Sequence, residues 1–175
     1  MLQLSEGLTS KLVLSLRTGS PVATVVSTII NPDNLKIEGF YCEDKFSKTQ
    51  LVLLTQDIRE TGPKGYFVND HEVLSDPGDL VRLKQILEIG FNPIGKQVVT
   101  LDKTKVGKVS DYAYDTNAMY IQKLYVAQSI LKSFTGGSLS IDRSLVQEIT
   151  PKTIVISELL NKAKMPARAP VPTTP

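Results

Sequence analysis

Residues 105–126 read KVGKVSDYAYDTNAMYIQKLYV, and residues 21–42 read PVATVVSTIINPDNLKIEGFYC. At a constant offset of 84 and with no gap, Val22 meets Val106, Val25 meets Val109, Ile37 meets Ile121 and Tyr41 meets Tyr125. In each stretch a run of β-branched and aromatic residues breaks at turn chemistry, Asn31-Pro-Asp-Asn34 in one and Asp115-Thr-Asn117 in the other, and then resumes. Asp and Asn side chains bond nearby backbone and tolerate tight dihedrals, so each stretch predicts a β-hairpin.

Further along, the likeness returns at an offset of 88: Glu60 meets Glu148, Pro63 meets Pro151, Lys64 meets Lys152, and Tyr66-Phe-Val68 meets Ile154-Val-Ile156. The change of offset places four extra residues in the second copy, around residues 131–137. Two collinear blocks predict an internal duplication. In the first copy, strands are expected at Lys11–Leu16, Val22–Ile30, Leu35–Cys42, Leu51–Leu54 and Tyr66–Val68, with one helical turn over Gln56–Glu60. The second copy repeats this at Gln97–Leu101, Lys108–Tyr114, Tyr120–Ala127, Leu139–Asp142 and Thr153–Ser157, with a helical turn over Ser144–Glu148. Five short strands in about 65 residues predict a small closed or partly open barrel, because closure removes exposed edges.

The fold class expected is therefore all-β: two tandem small barrels, residues 8–74 and 91–157, joined by a helix over residues 75–90. In that linker Ser75 or Asp76 can cap a helix, Pro77 suits its first turn, and Leu80, Leu83, Ile86 and Leu87 share a face up to a stop at Gly90. Residues 158–175 are expected to form a short helix and then a mobile tail, MPARAPVPTTP, whose prolines exclude helix and sheet.

Composition narrows the function classes. The chain has 175 residues, of which 41% are hydrophobic, and 22% charged, which suits a packed core. No apolar run approaches the roughly 20 residues a membrane-spanning helix needs, so no membrane span is expected. The opening MLQLSEGLTS has no basic region followed by an apolar one, which predicts no secretory leader. A single cysteine, Cys42, fits a reducing, cytoplasmic setting. Residues 1–90 carry 9 basic and 12 acidic side chains, a net −3, and residues 91–175 carry 11 and 6, a net +5. Opposite halves attract one another weakly, and the basic half could also face an acidic partner.

Catalytic motifs are sparse. His71 is the only histidine and sits among Asp70, Glu72, Asp76 and Asp79, where an acidic linker explains each residue as well as a metal site does. Cys42 aligns with Val126 and reads as a small buried hydrophobe. No nucleophile elbow and no phosphate-binding glycine loop occurs, and Gly107 reads as a glycine for a tight turn into a strand. Asp111, Asp115 and Asp142 could supply paired carboxylates, although turn and surface roles fit them better. Lys96, Lys103, Lys105 and Lys108 form a basic stripe, and Tyr112 and Tyr114 share one face of the neighbouring strand. The partner-contact residues expected are Lys103, Lys105, Lys108, Tyr112 and Tyr114, which would serve RNA if the rings stand exposed beside the lysines. Pro172-Thr-Thr-Pro175 could act as a proline-rich docking peptide, with Arg168 upstream.

The run GKVSDYAYD, a turn, a hydrophobic return strand, a further strand, one helical turn and a closing IVI resembles the PRC-barrel domain. That family is named for the cytoplasmic part of a photosynthetic reaction-centre subunit and also occurs in a bacterial ribosome-maturation factor. The segment Val98–Ile156 matches best, and Leu12–Val68 matches less closely, with Ala23-Thr24-Val25 standing where Gly107-Lys108-Val109 stands. The resemblance implies a barrel used for docking and no catalysis. The functional expectation is a non-enzymatic adaptor that docks protein partners through its barrel surfaces, with cell-division or membrane-complex assembly as candidate settings, a homodimer among its assemblies, and no cofactor or metal. The first alternative is an RNA- or ribosome-associated factor that uses the basic second half, and a third reading is a small-ligand or metal site in the cleft between the barrels.

Overall fold

The computed structural model describes residues 1–128 and 137–158. The protein is mostly β. After the edge strand β1 (Leu2–Leu4), the first half holds β2 (Leu12–Ser15), β3 (Pro21–Asn31), β4 (Lys36–Asp44), β5 (Gln50–Leu54), β6 (Ile58–Thr61) and β7 (Gly65–Val68). The second half holds β8 (Gln97–Thr100), β9 (Lys105–Asp115), β10 (Tyr120–Ala127), β11 (Ser138–Asp142), β12 (Val146–Ile149) and β13 (Thr153–Ile156). The short expected helical turns are 3-10 turns at Thr55–Asp57 and Arg143–Leu145, each leading straight into a strand.

The halves share one pairing scheme. β2 pairs antiparallel with β3 and parallel with β7, as β8 pairs with β9 and β13. β3–β4–β5 form a meander, as do β9–β10–β11. Irregularities repeat as well. The β3–β4 register slips between Val25 and Ser27, and the β9–β10 register slips at the matching place, where Tyr125 faces Asp111 and Val126 faces Val109. A bulge adds one unpaired residue and bends the strand, so its recurrence at an offset of 84 marks a duplicated backbone.

The strands hydrogen-bond as one mixed sheet, ordered β12-β13-β8-β9-β10-β4-β3-β2-β7-β6, with β1, β5 and β11 branching from it. Within this order the two halves are joined where β10 meets β4, Tyr120 opposite Lys36. The link is made by the hairpin tips. Ile37 donates its N–H to the Met119 carbonyl at 2.7 Å, and Ile121 donates to the Leu35 carbonyl at 2.9 Å. These positions are related by the 84-residue offset, so the contact is reciprocal, as at a twofold interface. Leu35 and Met119 both take positive φ, 59° and 54°, and both are buried. One hydrophobic cluster runs through both halves and includes Phe40, Tyr66, Tyr112, Tyr114, Ile141 and Ile154.

Three details differ from expectation. β1 pairs with β9, Gln3 opposite Tyr114, so the first strand in sequence lies on the second half. Gly107 lies inside β9, where a Cβ would stand 2.2 Å from the Ala127 carbonyl oxygen, so close backbone approach explains the glycine better than a turn. The linker is not one helix over residues 75–90. It opens with 3-10 turns at Pro77–Asp79 and Val81–Leu83, and only Lys84–Ile89 (α1) is α-helical. Asp76 does cap, accepting from the Gly78 N–H at 2.8 Å, but Gly78 is a poor helix former, and Leu80 leaves helical geometry at φ −87°, ψ 65°. Gly90 ends α1 in the left-handed conformation at φ 56°, ψ 43°, where a helix-stopping glycine was expected.

Candidate docking surface

The connector between the halves is the least expected part of the surface. Ser75 exchanges two backbone hydrogen bonds with Val52, at 2.8 and 2.9 Å, and so covers the free edge of β5. Past this anchor the chain stays against the sheet, Ile86 and Leu87 lying beside Thr28, Ile30 and Tyr41 of β3 and β4. Leu80, Leu83, Ile86 and Leu87 are half-buried, whereas Val81 is 78% exposed and Ile89 61%. Two clefts flank Val81. One, about 450 Å³, runs between Leu80–Leu83 and the residues Lys36, Leu54 and Gln56. The other, about 500 Å³, is lined by Pro77, Leu80, Val81, Lys84 and Leu87. Charges border them: Lys36 bonds Glu38 at 3.0 Å, and Lys84 approaches Glu88 at 4.0 Å on the helix surface. Val81 thus stands as an exposed apolar ridge between two clefts with a charged rim. The signal was present in the sequence: Val81 and Ile89 lie off the Leu80–Leu83–Leu87 stripe, so one helix could not bury them all.

The expected partner-contact residues divide. Lys105 and Lys108 are exposed on β9, and Lys103 is exposed in the preceding turn at φ 66°. Tyr112 and Tyr114 are 3% and 1% exposed. The Tyr114 hydroxyl lies 3.1 Å from the Gln3 Oε1, and burial raises the pKa of both phenols. These rings cannot stack on a base, so the sequence-predicted aromatic platform beside the lysines is corrected: β9 turns its tyrosines into the core shared by the halves. Lys96 donates to the Pro151 carbonyl and holds the β12–β13 turn.

The residues weighed for chemistry have structural partners. The Asp44 Oδ1 lies 2.6 Å from the His71 Nε2, and its Oδ2 accepts from the Ser47 N–H at 2.7 Å and the Ser47 hydroxyl at 2.6 Å. Burial pushes the Asp44 carboxyl up, but the Ser47 and His71 contacts outweigh it and bring the pKa to about 2. Phe46 stands edge-on to His71 with ring centres 5.2 Å apart. Next to them Ser15 donates to Asp70 at 3.0 Å, and Asp70 pairs with Arg17. The histidine thus joins the β4–β5 loop to the start of the connector. Among the described residues, no group of three or more His, Cys, Asp or Glu side chains is placed to hold a metal. Cys42 is buried, and burial pushes its thiol up to about 12, against a smaller opposing bond at Leu53. Such a thiol is a poor nucleophile.

The three second-half carboxylates serve separate bonds and do not form a pair. Asp111 accepts from Ser5 Oγ at 2.5 Å and the Tyr112 N–H at 2.7 Å. Asp115 accepts from the Asn117 and Ala118 N–H groups, and Asp142 from the Ser144 N–H and hydroxyl. The expected terminal helix, the tail and the Pro172–Pro175 motif lie outside the described residues.

No protein-family model matches the chain, and no curated protein matches it. No helix among the described residues is long and apolar enough to cross a membrane.

Proposed function

We propose that this chain is a non-enzymatic adaptor built from two tandem PRC-like barrels, docking a protein partner on the ridge of its connector. The barrel reading draws support from the parallel β2–β7 and β8–β13 pairs, which bring the first and last strands of each half together, as a curling sheet needs. The observation that carries the docking role is Val81: 78% exposed, between two clefts, on a backbone pinned at both ends by the Ser75–Val52 bonds and the Gly90 stop. Rigid apolar anchors beside pockets are the groups that dominate protein interfaces. A cytoplasmic setting fits the single buried cysteine.

The test is affinity capture from cell extract at 50 and 500 mM salt, with wild type, Val81→Asp and the triple change of Lys103, Lys105 and Lys108 to Gln. The adaptor reading expects a discrete protein partner retained at high salt, lost with Val81→Asp and kept by the lysine variant. RNA captured at low salt only and lost with the lysine variant would replace it with the nucleic-acid reading.

A further inference from the structure

A third cleft lies at the seam between the halves and has a volume of about 750 Å³. The segment at the start of the chain supplies one wall with Leu4 and Gly7, the β6–β7 turn supplies Gly62 and Pro63, and the β9–β10 turn supplies Asn117. Its volume falls in the range of small-molecule sites.

Lys11 is its half-buried cation. The ammonium sits 5.0 Å from the centre of the Tyr66 ring, and Tyr66 is fully buried. Among the described residues no carboxylate comes within ion-pair distance of Lys11, although Glu6 also lines the cleft. A ring face attracts the charge but accepts no ordinary hydrogen bond, so three N–H donors remain for another group. Burial, which lowers the lysine pKa, leaves the charged form short of solvent. A half-desolvated cation beside apolar walls selects a ligand with one negative head and an apolar body.

We propose that this seam cleft binds an amphiphilic monocarboxylate, its head on the Lys11 ammonium and its chain along Leu4 and Pro63. The experiment is an NMR titration of the full chain with sodium decanoate, in parallel with decyltrimethylammonium, which has the same tail and the opposite charge. Decanoate should give saturable shifts at the Gly7, Gly62 and Asn117 amides, and decyltrimethylammonium should not. Lys11→Met should weaken decanoate binding about tenfold or more, the loss expected for one charged hydrogen bond, and Lys11→Arg should restore most of it. Spectra of the variants away from the cleft report that the fold is intact, and Lys11→Gln replaces Lys11→Met if that variant does not fold. Absence of saturable shifts in the wild type overturns the proposal. So does equal affinity for the two amphiphiles, or affinity unchanged without the lysine.

Discussion

Ser10 and Gly95 show the duplication in single residues. Each holds positive φ, 60° and 84°, and each donates its N–H to the carbonyl of the matching valine, Val25 at 3.0 Å and Val109 at 2.8 Å. An L-residue strains in this conformation and glycine does not. Among the described residues the exposed Ser10 hydroxyl makes no hydrogen bond that the glycine would forfeit, so Ser10→Gly should raise stability by about 0.5–1 kcal/mol, read from urea unfolding midpoints. Asp44 makes a second expectation. Its folded pKa of about 2 lies below the unfolded value of roughly 3.9. The unfolded chain therefore takes up the proton first, and the stabilisation is complete above about pH 4 and lost as pH falls toward 2. Its size is on the order of 1–2 kcal/mol, allowing for screening near the loop surface. The stability difference between wild type and Asp44→Asn should accordingly shrink between pH 4 and pH 2. A constant difference would show that the carboxylate's charge is not what stabilises the loop.

Among the elements, the two long hairpins carry the join. Leu35 and Met119 are their buried tips, 2% and 8% exposed, each accepting through its carbonyl from the other hairpin. Leu35→Ala and Met119→Ala should each cost about 2–4 kcal/mol in chemical denaturation. Because both act on one shared seam, the double variant should depart from additivity by at least about 0.5 kcal/mol, whereas tips packed independently would add. These hairpins were legible in the sequence because strand, turn and return strand recur in order at one offset. β1 was not: Leu-Gln-Leu is too short to show a period, and its partner Tyr114 lies 111 residues from Gln3. The connector was half legible. Its cap at Asp76 and stop at Gly90 are local chemistry, while the non-helical dihedrals of Leu80, which break the run, carry no signal in the apolar periodicity.

For the molecule as a whole, the duplication that the sequence displays builds one sheet and one core. Offset and pattern marked two similar units, but nothing in either unit alone specifies that Ile37 and Ile121 reach across to the other. The same limit hid the burial of Tyr112 and Tyr114. A period of two puts both rings on one face, and only the neighbouring half determines whether that face meets water. The surface we propose for docking is accordingly the connector ridge at Val81 and Ile89, and not the lysine stripe with its buried tyrosines. The central claim is that the two copies lock reciprocally, hairpin to hairpin, into a single body that presents this ridge. Native-state hydrogen exchange at the Ile37 and Ile121 amides tests it most directly. Both should be protected alike and exchange only with global unfolding, as the amide of core residue Val13 should. Fast exchange at either amide, with Val13 still protected, would contradict the lock.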